Sequence, residues 1–167
     1  MESLLSKISA YHLISYALTG LLLTSCYIVL HGLSPEYNPA IIFGAVYLVG
    51  LLVSRIGSIL LEWPLKKTGF IQYVPYAEFV EAETIDSKVS GLAEQSSFYR
   101  TLCCGFGLLA GFSAVDGREP IVPNIQGRVE TVAFFLITCL FLFAYKKQCK
   151  FVYDRVKTQL TLKGKPK

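Results

Sequence analysis

Arg55, Ser58 and Glu62 are the residues whose types and spacing most invite chemistry. They lie within the apolar run AIIFGAVYLVGLLVSRIGSILLEW, three and seven positions apart, so a regular helix presents them on one face. A charge inside a membrane span costs at least about 2.5 kcal/mol on insertion scales and usually faces a bundle interior or water. One reading therefore makes Arg55 a pore, gate or coupling charge, balanced by Glu62 or by a second subunit. The other makes it an anchor, because Arg55 stands only about two turns, roughly 10 Å, from the end of the run, and its guanidinium can snorkel to headgroups. The alignment of Arg55, Ser58 and Glu62 holds the two readings level.

A second cationic set, Lys146, Lys147, Lys150 and Arg155, opens a tail in which eight Lys and Arg face Asp154 alone. Its apolar positions Cys149, Val152, Tyr153, Val156 and Leu160 have helical spacing. Three readings compete for the tail. It is a topology signal and lipid-phosphate patch, or it pairs with an acidic helix over 76–99, or it binds a polyanion such as an oligonucleotide by neutralising phosphates. Phe151 and Tyr153 are placed to stack on bases, yet the chain holds no nucleic-acid-binding motif.

Catalytic patterns are missing. There is no HExxH, no GxSxG, no phosphate-cradling glycine loop and no carboxylate pair at motif spacing within a span, so no enzyme, cofactor or metal is expected. Five cysteines (Cys26, Cys103, Cys104, Cys139, Cys149) sit in or beside apolar runs without a CxxC pair, and read as packing residues.

The elements that must position these residues are membrane helices. The chain of 167 residues is 53% hydrophobic and only 17% charged, against about 25% charged in an ordinary soluble domain. The reading is an all-α integral membrane protein forming a single membrane domain over 1–167. Its four crossings lie at about 10–31, 40–61, 98–115 and 129–145, with Pro64 and Gly69 ending the second near Trp63. Turn-rich segments 32–39 and 116–127 join the hairpins. Between the second and third crossings, Ala82, Ile85, Val89, Leu92, Ser96 and Tyr99 form an apolar seam of threes and fours, so 76–99 reads as one amphipathic helix leading into the third crossing. The fourth crossing continues into the basic tail. Placing 62–97, 146–167 and both termini in the cytoplasm puts thirteen cations inside against Arg118 and Arg128 outside, a strong positive-inside bias.

Small residues recur every four positions at Gly50, Ser54 and Ser58, and at Cys103, Gly107 and Gly111. Such stripes allow close helix approach, and packing within one subunit is favoured over an oligomer seam. Four thin helices cannot enclose a pore alone, so a channel requires a closed homo-oligomer, with a tetramer favoured.

The segment SRIGSILLEWPLKKTGF, followed by YAEFVEAETIDSKVSGLAEQSSFYRT, resembles small four-helix membrane effectors of bacterial anti-phage systems. Those of the Hailong system come first and the Kiwa membrane subunit is a weaker match. The matching elements are Arg55, Gly57, Ser58, Glu62, the helix start over 76–86 and Tyr99-Arg100-Thr101, about a quarter of the chain. The resemblance implies a bacterial inner-membrane ion channel held closed by an oligodeoxyadenylate from a partner nucleotidyltransferase, opening and depolarising the cell when that ligand is lost. It carries no ligand-binding residue across. The alternative function is a membrane scaffold or regulator that docks a soluble partner on 62–97 and the tail.

Overall fold

The first hairpin owes its tightness to glycine. Helix α1 (Ala10–His31) packs against α2 (Pro39–Gly57) where Gly20 and Gly50 face each other's chains. A Cβ on Gly20 would stand 1.8 Å from the Val46 carbonyl oxygen, and one on Gly50 would stand 2.0 Å from that of Tyr16. Only a residue without a side chain permits that approach, which lipid alone would not drive. Thr19, buried beside this contact, turns its hydroxyl back to the Ser15 carbonyl at 2.9 Å. The expected small-residue stripe therefore serves packing within the chain at Gly50.

The structure, a computed structural model, describes residues 10–31, 39–115 and 127–163, all helical apart from the connections at 68–75 and 86–87. The expected loops over 32–38 and 116–126 and the ends of the chain lie outside the described residues. Beyond α2 the backbone loosens into a π-helical turn, Ser58–Glu62, and runs on as α3 (Trp63–Lys67). Pro64 was expected to stop this helix. It instead occupies the first turn of α3, where its missing N–H is not needed. The chain ends that helix at Gly69, whose φ of +67° suits a glycine after a last turn; the Gly69 N–H donates to the Lys66 carbonyl at 3.1 Å.

Two helices then replace the single one expected over 76–99. Helix α4 (Tyr76–Ile85) closes at Asp86, and α5 (Lys88–Val115) runs unbroken from the polar segment through the apolar one. The break has a local cause. The Asp86 N–H donates to the Ala82 carbonyl at 2.9 Å, while its carboxylate accepts the Lys88 N–H at 3.0 Å, so one residue ends α4 and opens α5. Helix α6 (Gly127–Lys163) carries the last apolar run straight into the basic tail.

Among the described residues, three helices are long and apolar enough to cross a membrane: Pro39–Lys67, Lys88–Val115 and Thr131–Lys163. The apolar part of α1 that is described, Leu13–Ile28, is shorter. Helices α5 and α6 form the most extensive pairing, held by Phe106 stacked on Phe141 at 5.6 Å and by the Ser113 and Thr131 hydroxyls 2.9 Å apart. Outward, α2 and α6 present large apolar side chains, as a chain solvated by lipid must.

Candidate functional site

Ions and hydroxyls converge where the π turn meets α5. Glu62, 18% exposed, accepts a hydrogen bond from the Ser58 hydroxyl at 2.8 Å and is met by the Arg100 guanidinium at 2.7 Å. Arg100, 15% exposed, spends a second nitrogen on the Ser97 hydroxyl at 3.0 Å, and its Nε is buried with no partner. Lys66, one turn on from Glu62, adds a weaker contact at 3.5 Å and lies 4.0 Å over the Tyr73 ring. Tyr73 in turn is hydrogen-bonded to the hydroxyl of Tyr145, a fully buried side chain on α6. Burial and the Tyr145 hydroxyl push the Tyr73 phenol well above the usual tyrosine range, so that phenol stays neutral. The π turn, α3, α5, α6 and the 68–75 connection are thus tied together by one polar cluster. Breaking a buried ion pair strands a charge, so the pair ties the π turn to α5.

Of the three residues expected to share a face, the structure joins only two. Ser58 and Glu62 turn inward to Arg100, whereas Arg55 is exposed. The wider π turn accounts for the separation, since a residue inserted into the helical repeat swings Glu62 away from the face that carries Arg55. Arg55 shares its outward face with Leu48, Leu52, Ile56 and Ile59, all exposed. The continuous polar stripe of the sequence reading is therefore replaced by a lone cation on an apolar surface.

The tail cations also divide. Arg155 is engaged by Asp86, with Nε and one terminal nitrogen at 2.8 Å and 2.6 Å from the same carboxylate oxygen. Gln159 reaches that oxygen at 3.1 Å, and Lys157 and Lys163 pair with Glu78 and Glu81 at 2.8 Å and 2.6 Å. Beneath these contacts Ala82, Val89 and Val156 are sealed from solvent in one apolar cluster. The tail pairs with the acidic helix, one of the three readings of the sequence, and the seam of 82–99 finds its apolar partner in the same chain. It calls for no second copy. The Arg155 guanidinium, with help from the Lys88 N–H, holds the Asp86 carboxyl below the usual aspartate range.

Lys146, Lys147 and Lys150 stay apart from that clamp. They line an open groove of about 560 Å³ with Gly69, Phe70, Gln72 and Phe143, and Lys146 stands 4.0 Å over the Phe70 ring. The four cations expected to form one anion site are thus three plus one.

The sequence reading named Arg100 only within the Tyr99-Arg100-Thr101 match and passed over Tyr73 and Tyr145. A signal for Arg100 existed, since an acid at the end of an apolar span needs a cation, but a separation of 38 positions hid the pairing. No group of three or more His, Cys, Asp or Glu side chains among the described residues is placed to hold a metal ion. Compared with protein-family models, characterised proteins and solved structures, the chain matches none.

Proposed function

We propose that this chain is a four-crossing membrane protein, with both termini in the cytoplasm, that assembles into a homo-oligomeric gated ion channel. The observation that carries the reading is Arg55, an exposed cation on the apolar outer face of a membrane-length helix. Facing lipid as a single chain, it would bear a cost of at least about 2.5 kcal/mol. Facing other copies around an aqueous path, it meets water, with Leu52 and Ile59 above and below as an apolar constriction of the kind that gates by dewetting. The fourth crossing is α1, and the orientation follows the excess of Lys and Arg at the end of the bundle bearing Lys66, Lys67, Lys146 and Lys147.

Gating enters through the cytoplasmic layer. The 68–75 connection approaches the Glu62–Arg100 pair through Tyr73 and Lys66, and α4 and the tail dock on each other beyond it. A signal received by that layer thus has a path to the contact between the π turn and α5. A role as a depolarising effector in anti-phage defence is what the resemblance of 54–70 and 76–101 adds to this reading. The experiment is membrane potential in cells expressing wild type, Arg55→Lys and Arg55→Ala at equal levels. A pore or gate residue predicts a changed potential with Ala and an intermediate one with Lys. Identical behaviour of all three makes Arg55 an anchor, and the scaffold reading, in which the cytoplasmic layer only docks a partner, then takes its place.

A further inference from the structure

The tail uses its cations unevenly. Arg155, Lys157 and Lys163 are each matched by an acid of α4 or of the turn after it. Lys146, Lys147 and Lys150, nearest the apolar part of α6, converge on a groove whose lining contains no carboxylate. The groove is a product of the fold. Gly69 takes its φ of +67° and turns the chain, which brings Phe70 under Lys146, and Gln72 closes the wall with a neutral amide. On the membrane side the groove opens at Phe143, 63% exposed and one turn before Lys146 in a span of membrane length.

We propose that this groove is a binding site for an anionic phospholipid, with the headgroup phosphate on Lys146, Lys147 and Lys150 and an acyl chain running along Phe143. Basic pockets beside membrane helices hold such headgroups, at about 1 kcal/mol per cation. Three ammonium groups without a carboxylate exceed the charge of a single phosphate, so a lipid with two phosphates is the better match. The Phe143 mouth favours a lipid over a free polyanion, because a soluble ligand gains nothing from an apolar side chain set in the bilayer. The inference rests on α6 crossing the membrane and is independent of Arg55 and of any current, so either reading can fail alone.

The test is native mass spectrometry of the full chain in mild detergent with defined lipids added. Cardiolipin should be retained roughly tenfold more than phosphatidylcholine, with phosphatidylglycerol between them. Joint replacement of Lys146, Lys147 and Lys150 by Gln should abolish that preference, while Arg155→Gln, Lys157→Gln and Lys163→Gln together, which remove the same charge, should leave it within about twofold. Should the first triple variant lose its helical circular dichroism, Lys150→Gln alone carries the test, with a fall of about fivefold, the equivalent of about 1 kcal/mol. Equal losses in the two triple variants, or no preference for cardiolipin, would overturn the proposal. So would release of the bound lipid by inorganic phosphate or by a short oligodeoxyadenylate, which would assign the lysines to a soluble anion.

Discussion

Arg100 and Glu62 lock together two membrane helices that are 38 positions apart in the chain, and their contact is short and largely shielded. Truncating one partner leaves the other charge in a poorly solvated place. Arg100→Ala should therefore lower stability by about 3–5 kcal/mol, read as an earlier thermal transition in detergent. The double variant Glu62→Gln, Arg100→Met should recover most of that loss, since it removes both charges at once. Single and double variants with equal transitions would mean that the pair contributes packing and not charge. At this scale the sequence marked Arg55 as costly and offered Glu62 or a second subunit as its counter-charge, with snorkelling as the other reading. A five-residue π turn separates them, and neither Ser58 nor the leucines after it advertise that turn.

Close approach and capping decide the elements. Gly50→Ala places a methyl carbon 2.0 Å from a backbone oxygen of α1, so the hairpin must open, at a cost of about 2 kcal/mol or more in the range of overpacked cores. Gly111→Ala, with open space around its Cβ, should be near neutral in the same thermal assay. Helix α4 depends on Asp86, which ends it, starts α5 and accepts Arg155. A carboxyl held below its ordinary pKa stabilises the fold above the unfolded value, about 3.9, and loses that contribution as pH falls through the lower, folded value. Docking of α4 on the tail should thus persist at neutral pH and loosen only in acid below the ordinary aspartate range. Asp86→Asn should loosen it at neutral pH, and amide hydrogen exchange over 76–85 reads both. Hydropathy made the long helices legible, and α5 and the α6 extension follow the periods of three and four in the sequence. The same periods concealed the break at Asp86-Ser87, because Ala82, Ile85 and Val89 keep helical spacing across it. Asp86 and Ser87, just before Lys88, are residue types that cap helices, a signal the sequence reading did not take up. Pro64 failed as a stop for a related reason, since the π turn makes it the opening of a new helix.

For the whole molecule, α4 and the turn after it meet Arg155, Lys157 and Lys163 within the chain, while Arg55 stands exposed on a helix of membrane length. The acidic helix meets Arg155, Lys157 and Lys163, and this could not be read from composition, which offered lipid, polyanion and acidic helix as partners for the same cations. What the sequence did show was that Arg55 had to be explained. The central claim, that Arg55 faces water within an assembly, is tested most directly by cysteine accessibility. In a chain whose five native cysteines are replaced, Arg55→Cys is compared with Leu140→Cys, a 63% exposed position on the apolar surface of α6. In membranes, a water-soluble, membrane-impermeant thiol reagent should label position 55 and spare position 140. Equal protection of both positions would place Arg55 against lipid or packed protein and contradict the account.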